Sequence, residues 1–401
     1  MNKEEFYQRI DNLCRLIRQN APTIRKFLCV YETGATAEDE IDRSIRTLEG
    51  LRDETKEYSK PPAQLNIAVF FPLNLPLYSL VLFAIAPSFF ADKVLVRCPE
   101  VITEILVVLS EILSLSDIFP NIDLLKCSRT TFLYKYVKKL SSIVIFTGKY
   151  QNALTIIEQC KDKLFIFNGS GINPVVIFDD ADIELASQKS YKMRIYNSGQ
   201  DCAGPDVFFV HNSIREPYVA KLIHKVKQTK YGTYGVNNNI DVGPILKEGY
   251  INEVSHFIKK EREHIVFNGK IMNGIVEPYI IGKDIKRHRG AFCEFFAPIF
   301  YLLFFDDENE VTTLFKKYKK RSMYISYFSK LERFFNIDFA VKIKNQIIDD
   351  VEQGNYQYGG YGSEANFVYF DGNYYVRPIL ISREINNYII TQAKLNHGLL
   401  L

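Results

Sequence analysis

Apolar runs of strand length recur along this chain, separated by segments in which apolar residues return every three or four positions. "SSIVIF" (141–146), "KLFIF" (163–167) and "NPVVIF" (173–178) are of the first kind, "EVITEILVVLSEIL" (100–113) and "NALTIIEQCK" (152–161) of the second. Strands that alternate with helices in this way build parallel sheets joined by crossover helices, so the expected fold class is α/β. With 401 residues, 47% of them apolar, the chain exceeds the ~250 to 300 residues at which a single core stops growing, and it divides into two or three domains. One boundary is expected where a strand ends in "NGSG", and polarity rises again around 345–357. The partition expected is 1–166, 167–350 and 351–401.

The longest uncharged stretch lies between Lys60 and Asp92 and contains "IAVFFPLNLPLYSLVLFAIAPSFFA". Its length admits a membrane-spanning helix. Pro72, Pro76 and Pro87 interrupt it, however, and Asn74 adds an amide. It reads better as a buried strand (67–71), a turn, a core helix (77–86) and a further strand (93–97), with no integral membrane span. The N-terminal "MNKEEFYQRIDNLCRL" lacks the apolar core of a secretory signal and reads as an amphipathic helix. The formal charge is +3 and the basic runs "KKYKKR" and "KRHR" are short, which leaves little for nucleic acid to bind. Seven scattered cysteines without a CxxC pair fit neither a disulfide framework nor a zinc site, so a reducing, cytoplasmic setting is expected.

One cysteine stands apart. Cys202 lies in "RIYNSGQDCAGPD" (194–206), among small and turn-forming residues, and the loop feeds "VFFVHNSIREPYVAKLIHKV", a strand followed by a helix. Gly199 and Gly204 permit close backbone approach. From these residues alone Cys202 is either an inert filler or a nucleophile. Asn74, between two prolines, is likewise a turn residue or something more.

An ordered set of segments decides between these readings. "NSGQDCAGPD" resembles the nucleophile motif of the aldehyde dehydrogenase superfamily, and Pro205 with Asp206 is most similar to its short, dimeric fatty and aromatic aldehyde branch. "FFPLNLP" (70–76) resembles that family's Pro-Trp-Asn-Tyr-Pro turn, with Leu73 for Trp. "CEFFAPIF" (293–300) resembles its Glu-Ile-Phe-Gly-Pro segment, "NPVVIFDDADIELA" (173–186) the stretch after its Glu-Leu-Gly-Gly element, and "YGGYGSEA" (358–365) its C-terminal glycine loop. The resemblance spans about 62–365. It implies two Rossmann-like α/β domains, 1–166 binding a dinucleotide and 167–350 carrying Cys202, plus a C-terminal segment, 351–401, that packs back with a substrate-side loop and dimerisation strands.

The resemblance also assigns roles. Cys202 attacks an aldehyde carbonyl to give a thiohemiacetal and then a thioester, with the Asn74 amide and a backbone N–H stabilising the oxyanion. Arg97 and Glu100, in "VLVRCPE", face the adenosine ribose of NAD, with NADP as the alternative. Thr147, Gly148 and Lys149, in "FTGK", sit at a strand-to-helix turn suited to a diphosphate. Glu294 holds the nicotinamide ribose and Phe296 packs beside the ring, although "EFFAPIF" read alone is simply a buried strand entry. The family's general-base glutamate corresponds to Asn168, in "NGSGI", and an amide does not take a proton from water at neutral pH. Three functions follow: oxidation of an aldehyde to an acid, exchange of the acyl group with a thiol such as coenzyme A, or a chain that keeps the fold as a binding or scaffold subunit.

Elsewhere, His211, His224, His256, His264, His288 and His397 show no metal-ligand spacing and are expected on the surface or on strands. "DDADIE" (179–184) is expected to cap a helix rather than hold a metal. "NFVYFDGNYYVRPILISREI" is expected to form a hairpin around Asp371-Gly372 and then further strand, suited to pairing across a homodimer.

Overall fold

A computed structural model describes residues 2–58, 65–334 and 336–396. Five parallel strands open the first sheet: β1 (Asn66–Phe70), β2 (Lys93–Arg97), β3 (Ile122–Leu125), β4 (Ile143–Thr147) and β5 (Leu164–Asn168). Their side chains alternate between two cores, as strands buried on both faces require. Ile67 and Val69 point toward helices α1 (Lys3–Leu28) and α2 (Gly34–Thr55), whereas Ala68 and Phe70 point toward the helix Tyr150–Ile157.

The chain then crosses to a second sheet: β6 (Val175–Ile177), β7 (Phe208–His211), β8 (Ile265–Phe267), a small separate hairpin of β9 (Ile271–Met272) and β10 (Ile275–Val276), β11 (Tyr279–Asp284), β12 (Ile299–Phe305), β13 (Tyr324–Phe328) and β14 (Val341–Lys344). The order is β14-β13-β6-β7-β12-β11-β8, and only β8 is antiparallel to its neighbour. After β14 the chain returns to the first sheet, where β15 (Asn366–Phe370) pairs antiparallel with β5 and forms a hairpin with β16 (Asn373–Tyr375).

The apolar stretch 66–90 is a buried strand, a turn and a helix that begins as α3 (Pro76–Leu80) and continues through a π-helical turn, Val81–Ile85. Among the described residues no helix is long and apolar enough to cross a membrane. The hairpin at Asp371-Gly372 forms as expected, but the residues after it do not continue as strand: Ile381–Asn396 is a helix. Ile381, Ile385 and Ile389 recur every fourth residue and pack against the first core, so helical spacing overrides the β-branched composition.

Asp182 caps the helix Ile183–Ile195, its carboxylate accepting from Leu185 N at 3.0 Å. His288 departs from a surface position. It is half-buried, stacked on Phe292 at 4.5 Å and hydrogen-bonded to the Tyr301 hydroxyl, and burial pulls its pKa down to about 4. His397 lies outside the described residues.

Candidate active site

Parallel strands leave their carboxyl ends open to a crevice, and ligands of α/β proteins bind there. Here that crevice is a cavity of about 450 Å³, and Cys202, Asn74, Asn168, Arg97 and the 147–149 turn all line it, together with Glu294 and Phe296. Residues up to 222 positions apart in the chain therefore meet in one place, beside the carboxyl ends of β1, β2, β4 and β5. Of the expected site residues only Glu100 is elsewhere: it is exposed and starts a 3-10 turn, Glu100–Ile102, because Pro99 turns the chain away after β2.

The nucleophile loop is held in an unusual backbone shape. Asn197, Ser198 and Gly199 are consecutive left-handed residues (φ 48°, 58° and 78°), and a Cβ on Gly199 would lie 2.5 Å from the Ala297 carbonyl carbon. Such strain persists only where the surroundings over-determine it. They do so here through Arg194, which is fully buried and donates to the carbonyls of Pro205 (2.8 Å), Gly199 (2.5 Å) and Phe295 (2.6 Å). Asp206 accepts from Phe295 N at 2.8 Å, so the segment after Cys293 is tied to the loop carrying Cys202. On the other side Asn173 donates to the Cys202 carbonyl at 3.2 Å and accepts from Tyr324 N at 3.3 Å.

Cys202 is half-buried, and its Sγ lies 3.2 Å from the Tyr358 hydroxyl. Burial pushes the thiol well above the usual range, the negative charge of Asp201 adds to this, and the Tyr358 hydrogen bond opposes it. The Tyr358 hydroxyl is thus placed to donate to the sulfur once it ionises. Opposite, Asn74 sits in a turn closed by Leu75 in the left-handed region (φ 50°), and its carbonyl accepts from the Ser79 hydroxyl at 3.0 Å.

Among the described residues, four lining side chains carry buried polar atoms without partners: Arg97 Nε, Asn168 Oδ1, Glu294 Oε1 and Asp349 Oδ2. Buried polar atoms are normally satisfied, so these point to a polar ligand in the cavity. Burial raises the Glu294 carboxyl above its ordinary value, with a hydrogen bond from Ser170 opposing. Phe296 stacks on Tyr250 with centroids 4.5 Å apart. Lys149 precedes the first turn of the helix Tyr150–Ile157, next to Gly148 in a positive-φ conformation and Thr147, whose hydroxyl donates to Phe70 O. This set fits a dinucleotide: a cation and free N–H groups for phosphate, a carboxylate for hydroxyls, and a ring for a flat heterocycle.

Sequence reasoning passed over Arg194, Asn173 and Tyr358. Buried arginine beside a glycine-rich loop was the available signal for the first. For Tyr358 the only signal was a hydroxyl in a loop already singled out for its glycines.

A family model described as the aldehyde dehydrogenase family matches residues 8–318. Curated relatives include a lactaldehyde dehydrogenase of Methanococcus maripaludis, 24% identical over 209 residues (51% of this chain, 43% of that protein). Another is a probable succinate-semialdehyde dehydrogenase [NADP(+)] of Sinorhizobium fredii, 27% identical over 183 residues (44% of this chain, 36% of that protein). The chain thus spans less than half the length of these two relatives. Among solved structures, an aldehyde dehydrogenase from Brucella melitensis biovar abortus 2308 superposes with a TM-score of 0.79 at 20% identity, covering 91% of this chain and 81% of that one. A glyceraldehyde-3-phosphate dehydrogenase from Methanocaldococcus jannaschii complexed with NADP gives 0.78 at 18% identity, covering 91% and 85%. These two likenesses establish the fold.

Proposed function

The chain belongs to the aldehyde dehydrogenase family, and on that footing we propose that it is a nicotinamide-dependent oxidoreductase that processes an aldehyde through a covalent adduct on Cys202. The observation that carries this reading is the shared cavity: Cys202 and Asn74 come from distant segments and line one crevice beside a set of side chains suited to a dinucleotide. Once the Cys202 proton has passed to solvent, the thiolate forms the bond to the carbonyl carbon, and the carbonyl electron pair moves onto oxygen. The Asn74 amide donates to that oxyanion in place of water. Tyr358 donates to the sulfur while it is charged and leaves it when the S–C bond forms.

Glu294, Arg97, Thr147, Gly148 and Lys149 would hold the dinucleotide, and Phe296, stacked on Tyr250, would pack against it. When bound, NAD or NADP supplies the hydride acceptor, leaving the acyl group on Cys202 as a thioester. Release of that acyl group is where the chain departs from its family. Asn168 lines the cavity but has no basic atom to activate water. This favours, as a second reading, transfer of the acyl group to a thiol such as coenzyme A.

The test is to mix the purified chain with NAD or NADP and a panel of aldehydes, with and without coenzyme A, while nicotinamide reduction is followed. Turnover that Cys202→Ser abolishes is expected. Dependence on added thiol selects the second reading, and a stoichiometric burst without turnover identifies a chain that acylates but does not release. Activity surviving in Cys202→Ser refutes the proposal. We further propose that 1–166, 167–350 and 351–401 act as cofactor-binding, catalytic and substrate-side units, that the assembly is a homodimer in the cytoplasm, and that size-exclusion chromatography with light scattering tests the dimer.

A further inference from the structure

The cavity wall contributed by α2, α3 and the helix Ile348–Val351 is built around one arginine and an excess of acids. Arg43 Nε lies 2.8 Å from Asp39, its Nη1 2.8 Å from Glu352 and its Nη2 3.5 Å from Asp349. The Tyr78 hydroxyl donates to Glu352 at 2.7 Å and the Tyr196 hydroxyl to Asp39 at 2.8 Å. Arg43 is therefore fully engaged and has nothing left to offer an anionic substrate. Asp349 is different: its side chain is only 4% exposed, it lines the cavity, and its Oδ2 has no partner.

Two further acids line the same space. Asp201 adjoins Cys202, and among the described residues Glu54 is held only by neutral donors, the Ser382 hydroxyl and the Asn355 amide at 2.7 Å. Three carboxyl groups, Asp39, Asp349 and Glu352, thus meet Arg43, and two more, Glu54 and Asp201, line the same cavity. The other cation acting on Asp349 is Lys192, since Lys189 is paired with Asp350 at 2.6 Å. Burial, and then the charge of Asp201, pushes the Asp349 carboxyl up to about 7. An aliphatic chain leaves all of this uncompensated. A cation answers it, giving Asp349 its missing partner and offsetting the repulsion among the acids. Tyr78, Tyr356 and Tyr358 also line the cavity, and aromatic rings attract a positive group.

We infer that this half of the cavity is a subsite for a positively charged group, and that the aldehyde presented to Cys202 carries a protonated amine on its chain; the second half of the inference rests on Cys202 being the reacting atom. The test compares 3-aminopropanal with butanal, in which a methyl replaces the ammonium, using the full chain with NAD or NADP and coenzyme A. The expected kcat/KM ratio favours the amine by about tenfold or more, and Asp349→Asn lowers that ratio about fivefold or more. Propylammonium is expected to inhibit butanal turnover competitively in the unaltered chain, where propionate at equal ionic strength does not. A ratio near one together with no effect of propylammonium overturns the subsite while leaving the Cys202 reading intact. If neither aldehyde gives turnover or a burst of nicotinamide reduction, the Cys202 reading fails by itself, and calorimetry of propylammonium against propanol still decides the subsite. Binding of the ammonium that weakens in Asp349→Asn supports it, and no binding refutes it.

Discussion

Replacing Tyr358 by Phe removes one hydroxyl and one hydrogen bond, and its effect is expected on the acidity of Cys202. In the structure the Tyr358 hydroxyl has the Cys202 sulfur as its hydrogen-bond partner, at 3.2 Å. A thiolate can only accept in that pair, so the bond favours ionisation and its loss raises a thiol pKa already lifted by burial and by Asp201. Hydrogen bonds to charged groups contribute about 1.5–3 kcal/mol. A soft sulfur acceptor places this one near the lower limit, at about one pKa unit. At any pH below the thiol pKa the thiolate fraction, and with it the alkylation rate, falls about tenfold in Tyr358→Phe. The assay is iodoacetamide labelling across a pH series, quenched and read by peptide mass spectrometry at Cys202. Cys293, an exposed free cysteine, is the internal reference. An unchanged Cys202 profile, or a Cys293 profile that shifts equally, refutes the reasoning.

Three further outcomes are expected. Gly199→Ala forces a Cβ to within 2.5 Å of the Ala297 carbonyl carbon at φ 78°, which costs on the order of 1–3 kcal/mol and shows as a lowered urea midpoint; an unshifted midpoint contradicts it. Arg194→Met strands three buried carbonyls and leaves Asp206 without its cation, so denaturation should show a loss of about 3–5 kcal/mol, and a loss below about 1 kcal/mol removes Arg194 from its supporting role. Glu32 and Glu40 are buried together, and burial raises both carboxyls above their ordinary range. Their contribution to stability is present below the unfolded carboxyl pKa of about 4.3 and is lost as pH rises through the raised folded values. Glu32→Gln therefore flattens the decline in denaturation midpoint between about pH 5 and about pH 8, and an unchanged slope rules the pair out as its source.

Much of this architecture is written in local spacing. β2 occupies 93–97 as its apolar run predicts, and the runs in 141–146 and 163–167 become β4 and β5 within two residues. Cys202, Asn74 and Asn168 are recognisable because they sit in short ordered motifs, and all three line one cavity. What local spacing does not carry is the set of partners. The contact between Cys202 and Tyr358 spans 156 residues, and Arg194 reaches Phe295 across 101. Each depends on how two sheets meet, which no periodicity encodes. The tail shows the reverse failure. Its composition favours strand, while the spacing of Ile381, Ile385 and Ile389 favours helix, and burial against the first core settles the competition for the helix.

The placement of Tyr358 follows from the crossing between the sheets more than from either sheet. The chain leaves the first sheet just after Asn168 and comes back just before Asn366, and these two residues are register partners in the β5–β15 pair. Around them Gly169 N joins the two passes by donating to Ala365 O at 3.1 Å, and the return pass is held by Gly360 N donating to Asn366 Oδ1 at 2.9 Å and Gly359 N to the Tyr324 hydroxyl of β13 at 2.6 Å. Space at the crossing is spent, because a Cβ on Gly360 would lie 2.3 Å from the Met323 carbonyl oxygen. Backbone cannot retreat there without sliding the return pass, and Tyr358 is two residues away on it. Gly360→Ala is therefore expected to reproduce the slower Cys202 labelling of Tyr358→Phe, by displacing the hydroxyl instead of deleting it, and the double variant should label no more slowly than either single one. Additive effects in the double variant would mean that Gly360 acts on Cys202 by some route other than Tyr358.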